Sequence, residues 1–231
     1  MLTKNRVSLI LLLLIFIFLY LALQLEEHYL WISFGFIIFT ILLVLVRFER
    51  GSLEAREIVL LAILAAIAAV ARIPFASIPS VQPTTFIIMM SGLVFGAQSG
   101  FLIGLVAALA SNMILGQGPW TPWQMAAWGM VGLTAGMLRN TPLLRYKWGK
   151  VLFAIIWGFL FGWIMNLWGL LTVTGSGMPL DRNVFLTYFA ASALFDTMHA
   201  ASNVFFLLLF GDTWIKILSR FKKKYGLLYE V

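Results

Sequence analysis

The sequence contains no cysteine and only two histidines, His28 and His199. Disulfides, thiolate nucleophiles and cysteine metal sites are excluded, and a polyhistidine metal site with them. Charge is scarce too. Only 11% of the 231 residues are Asp, Glu, Lys or Arg, too few to build a water-facing surface. No GxxxxGK[ST] stretch is present, so the chain has no P-loop for ATP hydrolysis. There is no GxSxG elbow either. The stretch "TGSGM" (174–178) sets Ser176 between glycines. His199 lies about 15 residues into the following helix, roughly 22 Å away at 1.5 Å per residue, which rules against a Ser–His dyad. Asp196 with His199 alone is too small a set to hold a metal. Neither a catalytic centre nor a cofactor is expected.

What is present is apolar. Hydrophobic residues make up 62% of the chain, against about 45–50% in soluble domains. The reading is an all-α integral membrane protein. Spans are expected near 7–25, 30–46, 57–75, 84–97, 99–115, 123–138, 150–173 and 184–210. The first follows Lys4 and Arg6 and reads as a retained anchor rather than a cleaved leader. The fourth is short and meets the fifth through the uncharged "GAQSG" (96–100), as a tight hairpin or a partly re-entrant segment. Eight crossings from an inside amino terminus place every Lys and Arg except Arg72 and Arg182 on the inner side. The positive-inside rule then makes both termini cytoplasmic. The net charge of +7 is thus a matter of membrane orientation, with no nucleic-acid partner expected. Three regions follow: an N-terminal helical pair (1–50), a six-span core (52–215) and a basic tail (216–231), whose lysines and arginines face anionic lipid.

The stretch "GQGPWTPWQM" (116–125) interrupts the apolar runs with two prolines and two tryptophans. Pro119 and Pro122 stiffen the backbone, and Thr121 is placed to cap the next helix. Trp120 and Trp123 then project at the outer surface, as an interfacial belt or as preset ligand-binding rings. Other polar groups can converge there. Arg72 precedes the proline-rich "IPFASIPSVQP" (73–83). Asn112 sits one turn below the aromatic loop. Gln124 and Trp128 share a helix face. Trp163, Asn166 and Trp168 occupy the outer half of the seventh span. In "FDTMHAASN" Asp196, His199 and Asn203 share one face of the last span. Such groups are costly in lipid and belong in the interior, as a structural network or as the floor of a polar cavity. On the third span Ala62 with Ala66, and Ala65 with Ala69, form two small-xxx-small pairs, for internal packing or for docking another membrane subunit.

Three stretches together resemble the substrate-binding S components of energy-coupling factor (ECF) vitamin transporters: "LLAILAAIAAVAR", "GLVFGAQSGFLIGLVAALASN" and "GQGPWTPWQMAAWGMVGLTAG". The resemblance covers about residues 52–215, a six-helix core here preceded by two extra transmembrane helices. It implies capture of a vitamin or precursor from outside, under closing outer loops. It also implies docking on a coupling subunit and two ATPases, the first core helix touching the coupling subunit through an AxxxA pattern that Ala62, Ala66, Ala65 and Ala69 match. The aromatic loop and Trp-rich seventh span look most like the cobalamin-related branch, so cobalamin or a corrinoid precursor is the first expectation for the ligand. The competing reading is a stand-alone transporter of a small aromatic metabolite, with Asp196 and His199 as a proton relay.

Overall fold

The computed structural model describes residues 2–24, 28, 31–32, 34–39, 42, 54–175 and 181–226. About half of the expected second span, most of the charged linker after it and Ser176 lie outside these. Every long element among the described residues is a helix: α1 (Leu2–Gln24), α2 (Ala55–Val70), α3 (Thr84–Phe95), α4 (Ala97–Leu115), α5 (Thr121–Leu138), α6 (Lys147–Gly175) and α7 (Arg182–Tyr225). Four helical stretches, Ala55–Phe75, Ala97–Leu115, Lys147–Thr174 and Arg182–Tyr225, are long and apolar enough to cross a membrane. Leu9–Ala22 and Thr84–Phe95 are shorter apolar helices. The molecule is an all-α membrane protein.

Local sequence explains the breaks. At the start of α2, the Glu57 side chain accepts the backbone N–H of Glu54 at 2.9 Å, fixing the first turn within the charged linker. Helix α3 ends at Gly96, whose φ of 97° suits glycine. The chain reverses there, and the facing glycines Gly92 and Gly100 come together across the turn. The short fourth span is therefore one arm of a tight hairpin. Gly100 in turn packs on Gly132 of α5, where a Cβ would fall on the Gly100 carbonyl. Lipid is as apolar as leucine, so close backbone approach of this kind, rather than hydrophobic transfer, holds membrane helices together.

Helix α5 lies at the centre of the bundle. It packs on α3, α4 and α6, with α1 against its start. Trp123, Trp128, Ala126, Ala127, Val131 and Leu133 are fully enclosed. It meets protein on nearly every side, which permits the glycines and polar groups that lower its hydropathy. Helices α6 and α7 form a long antiparallel pair alongside. The last helix runs unbroken through the basic residues Lys222, Lys223 and Lys224 to Tyr225 and ends at Gly226 in the left-handed region.

One end of the bundle gathers the 73–83 segment, the 116–121 turn, the end of α6 and the start of α7. The other gathers the short helical turn Pro142–Arg145 and the end of α7. These are the aromatic and basic ends below.

Candidate functional site

Arg72 follows α2 and reaches inward. Its Nε donates to Gln82 Oε1 at 3.0 Å, and its Nη1 donates to Ser111 Oγ at 2.5 Å and Asn112 Oδ1 at 2.8 Å. The guanidinium carbon also lies 4.9 Å from the Trp128 ring centroid. A planar cation over an indole face, out of water, gains from the ring quadrupole. Asn112 passes the network on, donating from Nδ2 to Thr121 Oγ1 at 3.0 Å and to Gln124 Oε1 at 2.6 Å. One cation thus ties α2, the 73–83 segment, α4 and α5 together. It does not snorkel to the surface.

A second network lies deeper. The indole N–H of Trp128 donates to Thr85 Oγ1 at 3.0 Å, and that oxygen is 2.8 Å from His199 Nε2. Phe161 closes the group, with its ring edge-on to His199 at 4.8 Å and 4.9 Å from Trp128. The loop is pinned to α7 at this level, because Gln82 N donates to Ser202 Oγ at 3.0 Å.

Between the 73–83 segment, α6 and α7 is a cavity of about 260 Å³. Asp196, His199, Asn166, Ser192, Ser80 and Gln82 supply its polar wall, and Phe161, Met165 and Phe195 its apolar wall. Asn166 Nδ2 donates to Ser192 Oγ at 2.6 Å, and Ser192 Oγ reaches Asp196 Oδ2 at 3.1 Å. No cation pairs with this carboxylate among the described residues. Gly162 gives it room, since a Cβ there would fall on Asp196 Oδ1. Ser80, at the loop edge of the cavity, has a φ of 58°, the one non-glycine among the described residues in the left-handed region. Asp196 accepts from Ser192 of its own helix, His199 bonds to Thr85 of α3, and no hydrogen bond joins the two into a relay among the described residues. A charged wall, directional donors and acceptors, and two aromatic faces suit binding of a small polar ligand. Nothing in the arrangement activates a nucleophile.

The family model for the ECF transporter substrate-specific component matches residues 56–211. The chain belongs to that family. Among curated proteins, this S component is similar to a UPF0397 protein of Vibrio atlanticus, 22% identical over 176 residues that cover 74% of this chain and 94% of the relative. It is also similar to a UPF0397 protein of Aliivibrio fischeri strain MJ11, 24% identical over 183 residues, 75% of this chain and 95% of the relative. No solved structure gives a significant match. Family membership makes this a transport subunit rather than an enzyme, and it implies association with an ECF module and a small-molecule substrate.

The S component brings most of the expected polar residues together. Arg72, Asn112, Gln124 and Trp128 form the upper network; Asn166, Asp196 and His199 line the cavity. Two tryptophans go elsewhere. Trp123 does not project at the surface but is fully buried, its ring 5.6 Å from Phe18 of α1. One indole of the stiff turn therefore serves the N-terminal helix. Trp163 sits between Phe159 and Phe189, 46% exposed and pointing away from the cavity. Trp120 remains at the aromatic end, folded over Gly118 and edge-on to Trp168 at 5.7 Å. Thr121 does not cap α5. Its hydroxyl donates to Gln117 Oε1 at 2.8 Å and closes the turn instead. Asn203, on the polar face of α7, donates to the Ala154 carbonyl at 3.2 Å and is structural.

Ser80, Gln82, Thr85, Phe161 and Ser192 were not legible as site residues. For Ser80 and Gln82 the signal was the loop itself, stiffened by prolines beside Arg72. For Ser192 the signal was its i, i+4 spacing from Asp196 on one helix; for Thr85 and Phe161, common types in apolar runs, there was none. The alanine pairs divide cleanly: Ala65 and Ala69 are buried, while Ala62 and Ala66 face outward beside Val59 and Ile63.

Proposed function

We propose that this S component captures a vitamin-type small molecule in the cavity between the 73–83 segment, α6 and α7. The aromatic end faces outside, and the loaded subunit is emptied by a separate module of one coupling subunit and two ATPases. The observation that carries this reading is the cavity itself. It lies inside a transport subunit, is walled by Asp196, Asn166 and His199, and is roofed by a proline-stiffened loop held to α7. The Asp196 carboxylate, with no cation beside it among the described residues, favours a ligand with a cationic or strongly hydrogen-bond-donating group. Phe161 and Phe195 favour a flat apolar body.

Size bears on which vitamin. Pockets for drug-sized ligands run about 300–1,000 Å³, and this one, at about 260 Å³, is below that range. A vitamin fragment or monocyclic precursor matches it. The corrinoid expectation requires the α6–α7 pair to part from the loop, so the smaller ligand is the preferred reading. The outward pair Ala62 and Ala66 is the proposed contact for the coupling subunit, because small residues on a lipid-facing stripe admit a neighbouring helix. Charge supports cytoplasmic termini, with the basic end inside.

The test is a panel of vitamins and precursors titrated into the purified chain, followed by tryptophan fluorescence. The expected result is one monocyclic compound bound at micromolar Kd or tighter, about −8 kcal/mol. Tight binding of a corrinoid alone would overturn the size argument. No binding anywhere in the panel would overturn capture.

A further inference from the structure

At the basic end, on the far side of the bundle from the substrate cavity, a cleft of about 420 Å³ opens between the end of α3, the Pro142–Arg145 turn, the start of α6 and the end of α7. Arg139, Arg145, Lys150, Lys222 and Lys223 line it, and among the described residues no acidic side chain does. Basic side chains from four segments, the end of α5, the Pro142–Arg145 turn, the start of α6 and the end of α7, converge on one cleft, and their summed field draws an anion to it. Its floor is apolar, made of Leu93, Leu144 and Ile215. One cation is already anchored: Lys222 Nζ donates to the Val94 carbonyl at 2.9 Å, satisfying the end of α3. That bond fixes α7 against α3 and leaves the cleft open beside it.

The surroundings mark the depth. Tyr146 and Trp148 are 66% and 77% exposed next to the cleft, and Phe221 and Tyr225 are exposed on the neighbouring face of α7. Exposed aromatic residues at the end of an apolar bundle sit at headgroup level. A soluble anion would need only the charges. A cleft that is basic at the rim, apolar at the floor and ringed by interfacial aromatics fits an amphiphile, because basic pockets between membrane helices take up acidic headgroups.

We propose that this cleft is a specific site for one anionic phospholipid. The cations hold its phosphate, and the Leu93–Leu144–Ile215 floor holds its glycerol and upper chains. The lipid then bridges α3, α5, α6 and α7, clamping the long last helix at the end opposite the substrate.

The full chain in neutral detergent is titrated with short-chain phosphatidylglycerol, with phosphatidylcholine of the same chain length, and with inorganic phosphate. Bound equivalents are counted by native mass spectrometry. One equivalent of phosphatidylglycerol is expected, well ahead of the other two probes. Near a membrane surface each Lys or Arg contributes about fivefold in affinity. The double variant R145Q/K150Q should therefore lose about 25-fold. The control K216Q/R220Q removes the same charge from α7 outside the cleft lining and should stay within twofold. If R145Q/K150Q does not fold, K223Q at the exposed rim should still lose about fivefold. Equal losses in the two double variants would show diffuse attraction and overturn the site. So would phosphatidylcholine or inorganic phosphate binding as tightly as phosphatidylglycerol. A third overturning result is absence of lipid binding while R145Q/K150Q breaks the complex with an ECF module, which would make the cleft a protein contact.

Discussion

Replacing Gly162 with alanine tests the substrate cavity at the single atom where α6 meets the Asp196 carboxylate. A Cβ at this position lands on Asp196 Oδ1. Either the carboxylate turns or the two helices separate. Overpacking of this kind costs about 1–3 kcal/mol. If that strain falls on the ligand's main polar contact, affinity drops about 5-fold to 150-fold, since each 1.36 kcal/mol is tenfold. Gly158→Ala is the matched control. Its Cβ meets the backbone of Ala200, one turn along the same helix pair, and Gly158 does not line the cavity. Both variants should lower the melting temperature in detergent by similar amounts. Only Gly162→Ala should weaken binding of the compound found in the vitamin panel, by fluorescence titration. Unchanged affinity in Gly162→Ala, or an equal loss in both, would refute the placement of the ligand beside Asp196.

Trp128→Phe removes the donor to Thr85 and the better cation–π face under Arg72. A loss of about 1–3 kcal/mol is expected by denaturant titration, and a neutral result would show that the two networks are not coupled. Ser80→Gly relieves a left-handed backbone and should leave stability unchanged or raised, whereas Ser80→Val should cost about 1–2 kcal/mol; the reverse order contradicts the loop geometry. Trp123→Ala should act on stability, by about 3–5 kcal/mol, and expose α1 to proteolysis. A ligand-affinity loss with full stability would place Trp123 back in the site. Ala62→Leu with Ala66→Leu should abolish co-purification with an ECF coupling subunit while leaving vitamin affinity intact. Unchanged co-purification would move that contact elsewhere.

Much of the fold was legible because the bilayer leaves few options. Long apolar runs had to be helices, and Gly96 and the Pro119–Pro122 turn had to break them. Polar residues rare in such runs, Arg72, Asn112, Asn166, Asp196 and His199, were conspicuous for the same reason, and all turn inward. Direction around each helix was less legible. Trp123 and Trp163 lie near the expected level yet face α1 and the outer surface, because which face of α5 or α6 meets which neighbour is decided by packing. Ala62/Ala66 and Ala65/Ala69 were indistinguishable by spacing for that reason as well. Ser192 meets Asp196 by its i, i+4 spacing on α7, whereas Thr85 carries no signal of its own and matters only because α3 packs it against His199.

The most direct measurement is uptake of the labelled vitamin by sealed vesicles. The account predicts that this chain alone binds but does not accumulate it, and that adding the coupling subunit, both ATPases and ATP starts accumulation. Concentration of the vitamin by vesicles holding this chain alone, driven by a proton gradient, would contradict it.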